Sequence, residues 1–275
     1  MQWHHGGVPE GDTVFLLCRR LRAALAGHVL TGCEFRLPRL ATIDLTGAEV
    51  VEVVSRGKHQ LIRFSTDLTL HTHLRMDGTW TFARTGERRR GGPDHELRVL
   101  LKTDRGSALG YRLPVVELVR TDDEDSVVGH LGPDLLGPDW DVGEACRRLL
   151  RQPMRSIGES LLDQRNLAGI GTLWRAEILF LQGVHPRTRV AEVPDLSRLV
   201  HRAHSMISTA AQTGRQATTG DLRPVERAWV FERTRQPCRR CSTPVAFEEF
   251  GPPGQERSSY WCPVCQPAPP GLAYR

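Results

Sequence analysis

From Asp12 to Leu25 apolar residues return at the helical period, at Val14, Leu17, Leu21 and Leu25, and Gly27 supplies a stop. One amphipathic helix is predicted there. The period then shortens to alternation and brief apolar runs at 48–54, 61–64, 68–74, 79–83, 97–101 and 115–119, many of them separated by Gly, Pro or Asp. Such segments read as strands of a sandwich or barrel. The acidic stretch Thr121-Asp-Asp-Glu-Asp125 and the turn-rich run from Gly129 to Asp139 break the alternation and mark a domain boundary. Beyond it the helical period governs 143–151, 153–162, 172–182 and 195–212, the last with Leu196, Leu199, Val200, Ala203, Ile207 and Ala210 on one stripe.

Composition adds scale and compartment. A chain of 275 residues, 39% hydrophobic and 25% charged, can bury a large core and divides most naturally into two domains plus a small module. No apolar run has the length of a membrane span, and the first eight residues lack the basic and apolar regions of a signal peptide, so a cytoplasmic protein without a membrane partner is expected. The formal charge of +5 points weakly to a polyanion. Among its basic residues stand 35 arginines and two lysines, Lys58 and Lys102, a bias that fits a GC-rich genome and makes lysine the marked choice. An ammonium can lose its proton where its surroundings lower its pKa, which a guanidinium does not do. Lys58, in Ser55-Arg-Gly-Lys58, falls at the turn of a predicted hairpin, where a surface role and a chemical one are both open; Lys102 reads as the solvated end of a strand.

Two Cys-x-x-Cys pairs, Cys238 with Cys241 and Cys262 with Cys265, lie twenty residues apart near the C-terminus. Four thiolates at this spacing can close around one tetrahedral zinc ion and leave no position for water, which makes a structural site. The alternative is two disulfides, which an oxidising compartment would require. Arg257, five residues before Cys262, would ride on the resulting ribbon as a fixed positive prong, while Cys18, Cys33 and Cys146 read as buried, reduced residues. Between two predicted helices, Leu161-Leu-Asp-Gln-Arg-Asn-Leu-Ala-Gly-Ile-Gly171 leads into Thr172. A tight turn with Gly169 and Gly171 ahead of a helix N-terminus can cradle a phosphate, or can be a turn and nothing more.

Four segments in order, Pro9-Glu10-Gly11-Asp12, Ser55-Arg-Gly-Lys58, the glycine turn before Thr172, and Arg257 to Gln266, give the chain a resemblance to the formamidopyrimidine-DNA glycosylase and endonuclease VIII family of base-excision repair. The resemblance implies an α+β multidomain fold: an N-terminal β-sandwich with a flanking helix over 9–125, a linker at 126–140, a helical domain with a helix-two-turn-helix motif over 141–235, a four-cysteine zinc finger at 236–267 and a tail at 268–275. It implies a bifunctional DNA glycosylase and abasic-site lyase that takes a flipped base into a pocket. Pro9 would be the nucleophile at the sugar C1′, Glu10 the proton donor that opens the sugar ring, Lys58 the proton-transfer and phosphate group of the first elimination, and Arg257 a phosphate ligand that serves the second. DNA would be held by Gly169, Gly171, Thr172 and Arg257, with Met76 as a candidate wedge in the duplex; Cys238, Cys241, Cys262 and Cys265 would bind one structural zinc ion. The implied partner is damaged DNA, double- or single-stranded, bound by a monomer in the cytoplasm and associated with the nucleoid.

Three departures qualify the resemblance. Pro9 is preceded by eight residues, and an internal proline nitrogen is an amide without a nucleophilic lone pair; the expectation is that residues 1–8 are an artefact of start assignment and that a GTG codon read here as Val8 is the initiator. Thr172 stands where the family often has Asn. The segment Asp104-Arg-Gly-Ser-Ala-Leu-Gly110 lacks the Arg-Phe pair with which the formamidopyrimidine branch fills the gap left by a flipped base. That loss, with Leu-Leu-Asp-Gln164, favours the endonuclease VIII branch and oxidised pyrimidines over 8-oxoguanine. The rival readings are a catalytically inactive zinc-finger protein that binds damaged DNA, an 8-oxoguanine-preferring glycosylase, and an enzyme independent of nucleic acid that uses Lys58 as a Schiff-base lysine.

Overall fold

The computed structural model describes residues 9–87, 91–223 and 226–271. The eight residues ahead of Pro9 lie outside the described residues, as do 272–275 of the tail. Contacts divide the described chain into two compact units: Thr13–His130 with Pro9, and Leu131 onward with Glu10–Asp12. Among the described residues no helix is long and apolar enough to cross a membrane.

In the first unit α1 (Gly11–Leu25) is followed by eight strands: β1 (Gly32–Phe35), β2 (Val50–Arg56), β3 (His59–Phe64), β4 (Leu68–His73), β5 (Thr79–Arg84), β6 (Leu97–Lys102), β7 (Gly106–Tyr111) and β8 (Val115–Arg120). They form two antiparallel four-stranded sheets, ordered β1-β6-β7-β5 and β2-β3-β4-β8. Alternation gives each sheet one apolar face. Val53, Ile62, Phe64 and Leu70 from one sheet meet Phe35, Trp80, Val99, Leu101 and Ala108 from the other, and Val14, Leu21 and Leu25 of α1 join the same core. The result is the expected sandwich with a flanking helix.

The expected strands all form, with ends shifted by up to two residues, and two more appear. β7 is the instructive one, because it occupies most of the segment compared above with a wedge-bearing loop. Its glycines hide the strand signal, yet a Cβ at Gly110 would come within 2.5 Å of Leu113 Cδ1, so glycine there serves close packing beneath the sheet.

The second unit contains α3 (Val142–Leu149), α4 (Ile157–Leu162), α5 (Thr172–Gln182) and α6 (Leu196–Thr213), after a short α2 (Asp125–Val128) that closes the first unit. Asp141, Ser156 and Asp195 cap α3, α4 and α6 by accepting the amide of the third residue onward. α4 begins four residues later than its periodicity suggests, because Pro153 and Ser156 set a turn and a cap ahead of it. The helices share a core of Leu149, Ile157, Leu161, Trp174, Ile178, Leu199, Val200 and Ile207. A ribbon of β9 (Ala246–Phe250) and β10 (Arg257–Trp261) packs on α5 through Phe180, Val230, Val245 and Cys262.

Candidate functional site

The glycine turn and the first turn of α5 enclose a carboxylate. Glu10 has no exposed surface. It accepts the amides of Gly171 (2.8 Å), Leu173 (2.8 Å) and Trp174 (3.3 Å), the N–H groups a helix leaves unpaired at its start. Gly11 N donates to Gly169 O at 2.9 Å, and a Cβ on Gly11 would stand 2.8 Å from the Gly169 Cα. The glycines therefore serve a close approach of chain to chain. The neighbouring Asp12, also buried, accepts Trp174 Nε1 at 2.9 Å and Gln216 Nε2 at 3.2 Å. Amides of the turn expected to face DNA are already engaged: Gly171 by Glu10, and Gly169 by Gln164 Oε1 at 3.0 Å. Thr172 is half-buried at the start of α5.

Two knuckles carry the cysteines. Among the described residues the sulfurs of Cys238, Cys241, Cys262 and Cys265 lie within 4.8 Å of one another, with separations of 3.4 Å (Cys241 to Cys262), 3.6 Å (Cys241 to Cys265) and 3.9 Å (Cys238 to Cys265). A tetrahedral ion bound at about 2.3 Å by each thiolate requires sulfurs about 3.8 Å apart, so the donor set fits one metal ion. Hydrogen bonds from Thr243 hold the Cys241 thiol down at about 6, whereas burial pushes Cys262 and Cys265 up. A cation in the cluster is what would let all four ionise together.

Arg257 opens β10, exposed, opposite Phe250. With Arg155, Arg165, Arg175, Asp163 and Gln164 it lines a cavity of about 260 Å³. Arg175 is 1% exposed and donates from Nη2 to Ser258 O at 2.5 Å, tying α5 to the residue after Arg257. Burial lowers its pKa to about 10, an effect that Glu10 opposes and Arg257 reinforces. The second unit thus brings Glu10, Gly171, Thr172, Arg175 and Arg257 around one helix. Sequence reasoning missed Arg175 and Asp12, since a basic residue inside an amphipathic period and an acidic one at a helix start read as solvated.

In the first unit Lys58 sits, half-buried, in the β2–β3 turn after Gly57, whose φ of 57° favours glycine. Its carbonyl accepts Gln60 Nε2 at 3.2 Å, and Gln60 Oε1 accepts Thr72 Oγ1 at 2.8 Å, so buried polar groups anchor the turn. Met76 stands 66% exposed at the β4–β5 turn and is no core residue. The turn is braced from within: Arg75, at φ 46°, donates its amide to His73 Nδ1 at 2.9 Å, and Gly78 N donates to Leu74 O at 2.9 Å.

Residues 8–114 match the family model described as the formamidopyrimidine-DNA glycosylase N-terminal domain, and 131–221 match the formamidopyrimidine-DNA glycosylase H2TH domain. The chain is 49% identical over 264 residues to the probable endonuclease 8 2 of Streptomyces coelicolor, with 95% of each chain covered. It is 44% identical to the endonuclease 8 2 of Mycobacterium tuberculosis, covering 94% of this chain and 100% of that protein. It is 42% identical to the DNA-(apurinic or apyrimidinic site) lyase Nei2 of Mycolicibacterium smegmatis, covering 95% and 100%. Its fold matches Lactococcus lactis Fpg (MutM) crystallised with DNA containing N7-benzyl-Fapy-dG, at a TM-score of 0.78 and 23% identity over 94% of this chain and 100% of that one. The chain belongs to the formamidopyrimidine-DNA glycosylase family, and two of the three relatives named here carry the name endonuclease 8 2.

Proposed function

We propose that this member of the formamidopyrimidine-DNA glycosylase family is a bifunctional glycosylase and abasic-site lyase that removes oxidised pyrimidines from DNA and cleaves the strand through an imine on Pro9. The observation that carries the reading is the buried Glu10 carboxylate, one residue after Pro9, held by the amide of Gly171 and two amides of α5. A carboxylate fixed this firmly gives the residue before it a defined place, which is what a nucleophile needs.

The Pro9 nitrogen, as a secondary amine near the pKa of about 7.7–8.0 usual for chain termini, is partly unprotonated at neutral pH. It attacks C1′ of the flipped nucleotide and the base leaves with its bonding electrons; the Glu10 carboxylate takes the proton that the Pro9 nitrogen then loses and passes it to the ring oxygen as the C1′–O4′ bond opens. The resulting imine acidifies C2′. Lys58 assists removal of a C2′ proton, the electron pair expels the 3′ phosphate, and Arg257 binds phosphate and assists the second elimination. Thr172 adds a hydroxyl to the phosphate contacts, and Met76 fills the gap left by the flipped base. A zinc ion held by Cys238, Cys241, Cys262 and Cys265 supplies structure to the ribbon that carries Arg257. The enzyme would act as a monomer on chromosomal DNA in the cytoplasm.

This chemistry requires residues 1–8 to be absent, because only a terminal proline is an amine. The family match beginning at residue 8 supports that start. Protein beginning at Pro9 should form a borohydride-trapped adduct that peptide mapping places on Pro9, and should cleave oxidised pyrimidine sites faster than 8-oxoguanine sites. Equal lyase activity from an intact form beginning at Met1 would rule out Pro9 as the nucleophile, and a preference for 8-oxoguanine would rule out the lesion class.

A further inference from the structure

The polar face of the β2-β3-β4-β8 sheet carries a chain of three side chains that the reaction above does not use. Glu117 on β8 stands opposite His71 on β4, and its Oε2 lies 2.9 Å from His71 Nδ1. The other nitrogen of that ring, Nε2, lies 2.7 Å from Nδ1 of His59, the residue after Lys58. The two ring planes lie within 20° of each other with centroids 5.0 Å apart. The His71 side chain is 4% exposed and that of Glu117 is 53% exposed, so the chain runs from solvent inward to the Lys58 turn.

The hydrogen bonds have a direction. An ionised Glu117 can only accept, so His71 Nδ1 carries the hydrogen. In a neutral His71 ring Nε2 is then a lone pair that accepts, so His59 Nδ1 carries the next hydrogen. His59 Nε2, on the far edge of its ring, is left as a bare lone pair. Around the His59 ring stand His71 and His73 on β4, His130 beyond α2 and Lys58 on its own hairpin, with Arg56 opposite it in the β2–β3 register and Arg75 beside His73. Burial and these neighbours hold His59 down at about 3 and His73 at about 4.

We propose that Glu117 and His71 are positioning residues for strand cleavage, which fix His59 as a neutral proton acceptor for Lys58 and take up the proton that Lys58 must lose before it can act as a base. The proposal rests on the reading of Lys58 given above. In the step, an N–H bond of the Lys58 ammonium breaks and His59 Nε2–H forms. His59 Nδ1–H passes to His71 Nε2, and His71 Nδ1–H passes to Glu117. The two rings end neutral, and the net change neutralises the Lys58 ammonium and the half-exposed Glu117 carboxylate together. The Lys58 amine then takes the C2′ proton. After product leaves, Glu117 returns its proton along the same bonds, and His59 Nε2 releases one to water, which restores the resting tautomers.

Two measurements on the zinc-loaded, lyase-active protein test this. Nitrogen-15 shifts of the imidazoles between about pH 6 and 8 should show His59 and His71 both as the Nδ1–H tautomer; His59 protonated on Nε2 would overturn the proposal. Single-turnover strand scission and borohydride trapping at an abasic site should be compared for the parent, Glu117→Gln, His71→Phe and Lys58→Met. The ratio of scission to trapping should fall about tenfold or more in all three variants, with the loss in Glu117→Gln and His71→Phe partly recovered as pH rises and Lys58 deprotonates unaided. A merely structural defect lowers trapping and scission together and leaves the ratio unchanged, which would also overturn the proposal. If Lys58→Met keeps the parent ratio, the reading of Lys58 fails and the relay with it. If Lys58→Met loses the ratio and the other two variants keep it, the relay alone falls.

Discussion

Gly171→Ala isolates the clamp between Glu10 and the start of α5. The backbone at Gly171, φ −123° and ψ −161°, is extended and open to any residue, so the substitution carries no conformational penalty of its own. The added Cβ, however, would stand 2.3 Å from the carboxyl carbon of Glu10 and 2.5 Å from its Oε1. Ordinary contact needs the carboxylate to retreat by roughly 1 Å, which stretches amide bonds now at 2.8 Å to roughly 3.8 Å, beyond hydrogen-bond range. Each amide bond to a charged group contributes about 1.5–3 kcal/mol, and the displaced charge has no water to turn to. Allowing for relaxation, a destabilisation of about 3–5 kcal/mol is expected for the helical unit. At about 2–4 °C per kcal/mol its melting transition should fall by roughly 10 °C, read by scanning calorimetry. Abasic-site cleavage should fall by a factor of about a hundred, because a 1 Å misplacement near reacting atoms has that effect. A variant that melts within about 1 °C of the parent and cleaves normally would refute the clamp, since no other group at Gly171 could absorb the methyl.

Cys262→Ser should lose its stoichiometric metal, measured by plasma mass spectrometry, and with it DNA binding, while the melting of the sandwich unit is unchanged; full metal retention would contradict a four-thiolate site. Arg257→Ala should weaken binding to every sequence and reduce the slope of log K against log salt by about 0.9, and an unchanged slope with a lesion-specific loss would mean that Arg257 reads a base. Met76→Ala should leave the unfolding free energy within about 0.5 kcal/mol of the parent, as 66% exposure implies, yet weaken binding to damaged duplex; equal binding would remove Met76 as a wedge. His59, His73 and His185 are held by burial at about 3, 4 and 4, below the ordinary 6.5. At these three rings the unfolded chain therefore binds more protons than the folded one below pH 6.5, so their contribution to stability should be flat above that value and fall as pH drops from 6.5 towards 4, as denaturant titrations across that range would show.

How far the sequence revealed this arrangement depends on how local each feature is. The cysteine pairs were legible because each knuckle is closed by residues three apart, and only the pairing of β9 with β10 had to be supplied by folding. α5 was legible to the residue, since its period runs unbroken from Thr172 and stops at Gly183 in the left-handed region. β7 was not, because Gly106 and Gly110 remove the side chains on which alternation is read, and its place depends on pairing with β5 and β6. The same limit explains the site. Glu10 meets amides 161 to 164 positions away, so its own segment could not show what holds the carboxylate, and the glycine turn read as a cradle for a phosphate or as a turn and nothing more. The two halves of that reading are one contact: the anion at the N-terminus of α5 is Glu10 itself, and the glycines that looked like a phosphate cradle admit a carboxylate from the protein's own first turn. The histidines show the converse. His71 and His73 point to one face by simple alternation, but only the register that sets His59 against His73 and His71 against Glu117 turns three scattered residues into a hydrogen-bonded line, and register is a property of paired strands that no single strand encodes.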